Sequence, residues 1–128
     1  MVHDVLEDIY HSGCDSGTRL WLDSELRKFK IPTEKVIGYD HVVNTHTEAA
    51  LLIFANKADA ALGIQAAAHQ HGLDFIPLFE ERYDLVLSKE NEKTLLPLLD
   101  YLQTANFRTE LNALTGYNSM HSGEQITL

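Results

Sequence analysis

Between residues 57 and 87 the chain sets apolar runs on either side of a short helical one, KADAALGIQAAAHQHGLDFIPLFEERYDLVL, and this order restricts the fold more than any other feature. Residues 58–64 are small and apolar, residues 65–71 have a helical composition, and Gly72 stands where a helix C-cap is expected. Residues 74–78 and 83–87 follow as short apolar runs of strand character. The spacing therefore predicts three buried strands around one short helix. Strand, helix, strand is the repeating unit of a parallel sheet whose faces are covered by helices. Sheets of that kind take ligands where strands end and helices begin. The predicted fold class is α/β, a ligand-binding lobe rather than a bundle or a barrel.

The rest of the chain fits that frame. Residues 5–11 read as a strand feeding a small-residue loop, SGCDSG. Residues 18–29 place Leu20, Trp21, Leu22, Leu26 and Phe29 among charged residues at mostly helical spacing, and Ile31-Pro32 ends that helix. Residues 36–43 read as extended. Asn44-Thr45-His46-Thr47-Glu48 is a helix start, with an acid three places after Thr45, and residues 49–56 form the helix body. Residues 91–105 predict a further helix containing Pro97, which either kinks it or marks a start near Thr94. Residues 107–114 predict a last helix before a polar tail. A length of 128 residues is enough for one domain with a core of its own, and the reading is a single domain over 1–128.

Charge narrows the function. Ten Lys and Arg against nineteen Asp and Glu leave a formal net charge of −9, which argues against a nucleic-acid surface. A small anion remains open, because backbone N–H groups at helix starts hold oxyanions with little net positive charge. No run is long and apolar enough to span a bilayer, and the opening residues have no secretory pattern, so the expected compartment is the cytoplasm. The single cysteine, Cys14, excludes an internal disulfide.

Three constellations can make a binding site. Ser16, Gly17, Thr18 and Arg19 open the first helix and offer hydroxyls, free N–H groups and one guanidinium. Thr45, His46 and Thr47 open the second. Gly63 and Gln65 stand at a strand-to-helix crossing. Each also reads as an ordinary capped helix or tight turn; two such starts in one small α/β domain favour a shared cleft. Tyr83 can aim its hydroxyl at a cleft, while Arg82 among acids reads as a solvated ion pair. Cys14 with His11 is the only nucleophile–base pairing to weigh, and it has no third member. His69 and His71 point different ways on a helix, and Glu80 and Glu81 are adjacent, so neither pair predicts a metal site or an acid dyad. No cofactor motif is present, and a non-enzymatic role is expected.

The segments SGTRLWLD, NTHTEAA, the 57–87 run and LTGYNSMHSGE together resemble the periplasmic-binding-protein-like domains related to molybdate- and tungstate-binding proteins and molybdate-responsive regulators. The likeness runs from Asp8 to Gly123. It implies the type 2 binding-protein fold, two α/β lobes with ligand in the cleft; this chain resembles the second lobe plus the return segment, a three-layer αβα lobe with a mostly parallel sheet. By that resemblance Ser16, Gly17 and Thr18 match one ligand-holding helix start, and Thr45, His46 and Thr47 the other. The implied ligand is a tetrahedral oxyanion: molybdate, tungstate, or sulfate in the same geometry. The implied setting is a sensor that acts with a helix-turn-helix DNA-binding domain or protein, in some cases as a homodimer. The competing reading is a regulatory dimerisation module that has lost its ligand.

Overall fold

The computed structural model describes the backbone of residues 9–12 and the whole of residues 17–126. The chain gathers into two compact units, one running to Ile76 and the other from Pro77.

The first unit alternates strand and helix: β1 (Ile9–Ser12), α1 (Gly17–Lys28), β2 (Val42–Val43), α2 (His46–Phe54), β3 (Ala60–Ala61) and α3 (Gln65–Gln70), with a 3₁₀ turn at Thr33–Lys35. The strands form one sheet in the order β2-β1-β3. Both pairings are parallel, Ser12 opposite Val43 on one side and Tyr10 opposite Ala61 on the other. Parallel neighbours need a crossover: α1 carries the chain from β1 to β2, and α2 carries it from β2 past β1 to β3. The α2 helix packs on all three strands and on α3, and α1 packs on β1. The core is made of Leu22 and Leu26 from α1, Val43 from β2, Ala49 and Ala50 from α2, Ala58, and Ala67 and Ala68 from α3. Burying each of the two leucines contributes roughly 1.5–3 kcal/mol.

The three helices stop by the same device. After α1, Lys30 N–H donates to the Arg27 carbonyl and Ile31 N–H to that of Leu26. Asn56 and Lys57 repeat the pattern on Ile53 and Leu52 after α2, and Gly72 and Leu73 repeat it on His69 and Ala68 after α3. This paired closure requires a left-handed residue, supplied by Lys30 at φ 55°, Asn56 at φ 54° and Gly72 at φ 66°. Only the last is a residue that adopts that region without steric cost.

A side-chain cluster ties α1 to the turn ahead of β2. Arg19 Nε donates to Asp23 Oδ1 at 3.1 Å, and Arg19 Nη1 to the Tyr39 carbonyl at 3.1 Å. The Tyr39 hydroxyl donates to the same Asp23 oxygen at 2.8 Å. The guanidinium lies 3.8 Å from the Tyr39 ring centroid, within range for a cation–π contact. Burial raises the Tyr39 phenol above its ordinary value, and the hydrogen bond to Asp23 raises it further, against the opposing pull of Arg19.

In the second unit a 3₁₀ turn at Lys89–Asn91 leads into α4 (Glu92–Leu102), followed by α5 (Ala105–Ala113). Pro97 sits inside α4, which begins at Glu92. Thr104 caps α5 by accepting from Phe107 N–H at 3.1 Å. Tyr101 donates to Glu110 at 2.7 Å, and its ring meets Phe107 edge-on at 5.5 Å, joining the two helices. Neither helix carries a buried residue. At Gly123, φ is 83°, and a Cβ would fall 2.9 Å from the Leu102 carbonyl oxygen, so the tail returns to the end of α4 only through glycine.

The α/β class holds, but several strands are shorter or missing. The expected strand at 58–64 contracts to Ala60–Ala61, and the extended run at 36–43 to Val42–Val43, with Gly38 at φ 81° in the turn before it. The strands expected at 74–78 and 83–87 do not form: among the described residues this stretch has no regular structure. Leu78, Leu85 and Val86 are exposed there, Val86 by 90%. Apolar, β-branched composition marks a segment that suits a pleated, half-buried surface, but a strand exists only when a neighbour accepts its backbone bonds.

Two stability effects follow. Lys30→Gly is expected to raise stability and Gly72→Ala to lower it, each by about 1 kcal/mol, the cost of an L side chain in the left-handed region; urea unfolding of the two variants beside the parent measures both signs. The Tyr39 linkage predicts an alkaline limb. Unfolded tyrosine ionises above about pH 10, whereas the folded phenol keeps its proton there, so its contribution is complete below pH 10 and declines as pH rises further. Tyr39→Phe should flatten that decline in stability measured between pH 8 and 11, although it loses the Asp23 bond at all pH values.

Candidate functional site

All three strands run the same way, so their C-terminal ends lie at one edge of the sheet. From that edge Ser12 leads towards α1, Val43 through Asn44 and Thr45 into α2, and Ala61 through Gly63 into α3. The sequence expected two helix starts to face one cleft. The sheet brings three to one edge, with β1 in the middle.

The α2 start is the most fully built. Thr45 is extended at φ −138°, ψ 155°, and its Oγ1 accepts from Glu48 N–H at 3.0 Å. The Glu48 carboxylate reaches back to accept from Asn44 N–H at 2.9 Å. This reciprocal cap is the one read from Thr45 and Glu48 in the sequence. It uses the Thr45 oxygen as acceptor and leaves its O–H to donate. Among the described residues no acceptor stands at the amides of His46 and Thr47. Glu48 works against an anion here, because its charge offsets part of the positive helix end.

His46 faces the α3 crossing. Its Nδ1 is buried without a hydrogen-bond partner, and a Cβ added to Gly63 would lie 3.8 Å from it. Gly63 is not in the left-handed region, and such a Cβ would meet only ordinary contacts. The tight-turn explanation of Gly63 therefore finds no support in its conformation. Gln65 opens α3 and is exposed, as is Thr47 on α2.

At the α1 start Gly17 is exposed and Thr18 is 8% exposed, a buried hydroxyl residue. Ser16 and Cys14 lie outside the described residues, and so does the side chain of His11. Arg19, expected to reach an anion, instead holds Asp23 and Tyr39, with a side chain 14% exposed. The i, i+4 spacing of Arg19 and Asp23 was the available signal for that pair; nothing local to Tyr39 announces its part.

Tyr83 belongs to the second unit. It is 77% exposed, and its hydroxyl donates to Glu81 at 3.4 Å. Desolvation and the Glu81 charge both raise its phenol. Arg82 pairs with Asp84 at 2.9 Å, the solvated ion pair its setting suggested. His69 is exposed near the end of α3, while His71 follows the helix with its Nε2 buried and unpartnered, its ring 5.9 Å from Phe54. Among the described residues no three His, Cys, Asp or Glu side chains are grouped to hold a metal ion, and no helix is long and apolar enough to cross a membrane. A shallow depression of about 220 Å³, lined by Asp23, Leu26, Arg27, Ile31, Thr33 and Tyr39, lies along α1 rather than at the three helix starts.

The chain is 37% identical over 111 residues to the uncharacterised protein YvgK of Bacillus subtilis (strain 168), an alignment covering 87% of this chain and 36% of that protein. It therefore spans about a third of that relative's length. It is 34% identical over 109 residues to an uncharacterised protein in the 5′ region of the 2Fe-2S ferredoxin gene of Clostridium pasteurianum, covering 83% of this chain and 96% of that one. No solved structure gives a significant match. The PBP superfamily domain matches residues 9–103, from β1 to the end of α4, and the chain belongs to that periplasmic-binding-protein-like superfamily.

Proposed function

We propose that this chain is a non-catalytic, ligand-binding lobe of the type 2 binding-protein class, a three-layer αβα lobe with a mostly parallel sheet. Its ligand is a small tetrahedral oxyanion, molybdate or tungstate first, with sulfate of the same geometry as competitor. The observation that carries this reading is the convergence of three helix starts on one edge of a parallel sheet. The donors are neutral: the N–H groups at the starts of α1 and α2, and the hydroxyls of Ser16, Thr18, Thr45 and Thr47. A helix start contributes typically 0.3–1 kcal/mol to an exposed anion and up to about 2 kcal/mol when partly buried, so selectivity rests on several donors acting together. The net charge of −9 repels anions at long range, but beyond about 8 Å that repulsion is screened at physiological ionic strength, and short-range donors decide. Arg19 is a positioning residue in this scheme, held on Asp23 and Tyr39. Capture closes lobes or subunits, and the change is passed to a helix-turn-helix DNA-binding domain or protein in the cytoplasm.

One observation favours a second reading. Leu78, Leu85 and Val86 in the second unit are exposed, as an interaction module that no longer binds an anion would require. The two readings separate in solution: a sensor changes stability with anion, whereas a dimerisation module shows a dimer mass in light scattering that molybdate does not alter.

Thermal unfolding at fixed ionic strength, with millimolar molybdate, tungstate, sulfate, phosphate or buffer alone, is the direct test. A ligand present at a hundred times its Kd adds about 2.7 kcal/mol, so molybdate or tungstate should raise the midpoint well above the sulfate and phosphate values. Equal midpoints in every anion would overturn the oxyanion assignment. The double variant Thr18→Val, Thr45→Asp removes both threonine hydroxyls and places a carboxylate at the α2 start, while Asp still caps the helix. It should abolish the anion-induced shift and keep the parent's midpoint in buffer within a few degrees; an undiminished shift would remove these two residues from the site. Gly63→Val inserts bulk beside His46 at a position with no conformational need for glycine. Loss of at least tenfold in anion affinity, read by isothermal calorimetry, is expected, and unchanged affinity would place the ligand away from the α3 crossing.

A further inference from the structure

We draw no further inference here: the strongest candidate, the exposed apolar strip formed by Leu78, Leu85 and Val86 in the irregular stretch ahead of α4, carries nothing because nothing in the structure shows what covers it.

Discussion

The first unit depends on how closely α2 can lie against the sheet. Ala49 and Ala50 are 1% and 6% exposed and bring the helix backbone near strands only two to four residues long. Such short strands make few ladder bonds, so the sheet cannot hold its register unaided. A helix that touches all three strands and α3 supplies what the ladder lacks. Interiors are close-packed, and a longer side chain at either alanine would push α2 away from every strand at once. The same contact fixes where the α2 start lies relative to the α1 and α3 starts, so core packing and site geometry share one cause.

The electrostatics of that edge are mixed rather than uniformly favourable to an anion. The amides of His46 and Thr47 point positive ends outward, whereas the Glu48 carboxylate is fixed on Asn44 close by. The cap therefore stabilises the helix while weakening its attraction for negative charge. Any discrimination at the proposed site must come from the number and direction of neutral donors, because the formal charges nearby do not add up to an attraction. The buried, unpartnered Nδ1 of His46 belongs to the same balance: buried polar atoms are rarely left without a partner, and this one lies beside a glycine at the proposed site.

Features set by local chemistry were legible in the sequence. Helix α1 was expected at 18–29 and occurs at Gly17–Lys28, Thr45 and Glu48 form their cap, and Gly72 takes the left-handed position after α3. Each is decided by residues within one or two turns. The lateral partners of strands were not legible. Residues 74–78 and 83–87 carry an apolar pattern that records preference for a sheet surface, whereas pairing depends on residues distant in sequence. The fate of Arg19 was hidden for the same reason, since Tyr39 lies a whole helix and turn away. For the candidate site, helix starts could be found from Ser, Thr and Gly, but their gathering at one edge required the parallel strand order.

The Arg19 clamp also changes what the helix starts can do independently. Arg19 lies in the first turn of α1, and Tyr39 lies just ahead of β2, whose end feeds the α2 start. The starts of α1 and α2 are thus linked twice: through the β1–β2 ladder, and around the outside through a guanidinium held by a carboxylate, a carbonyl and an aromatic face. A doubly tethered pair cannot spread apart by hinging on the sheet alone. The separation of the two starts is therefore set by the fold itself, from inside by the sheet and again by the clamp.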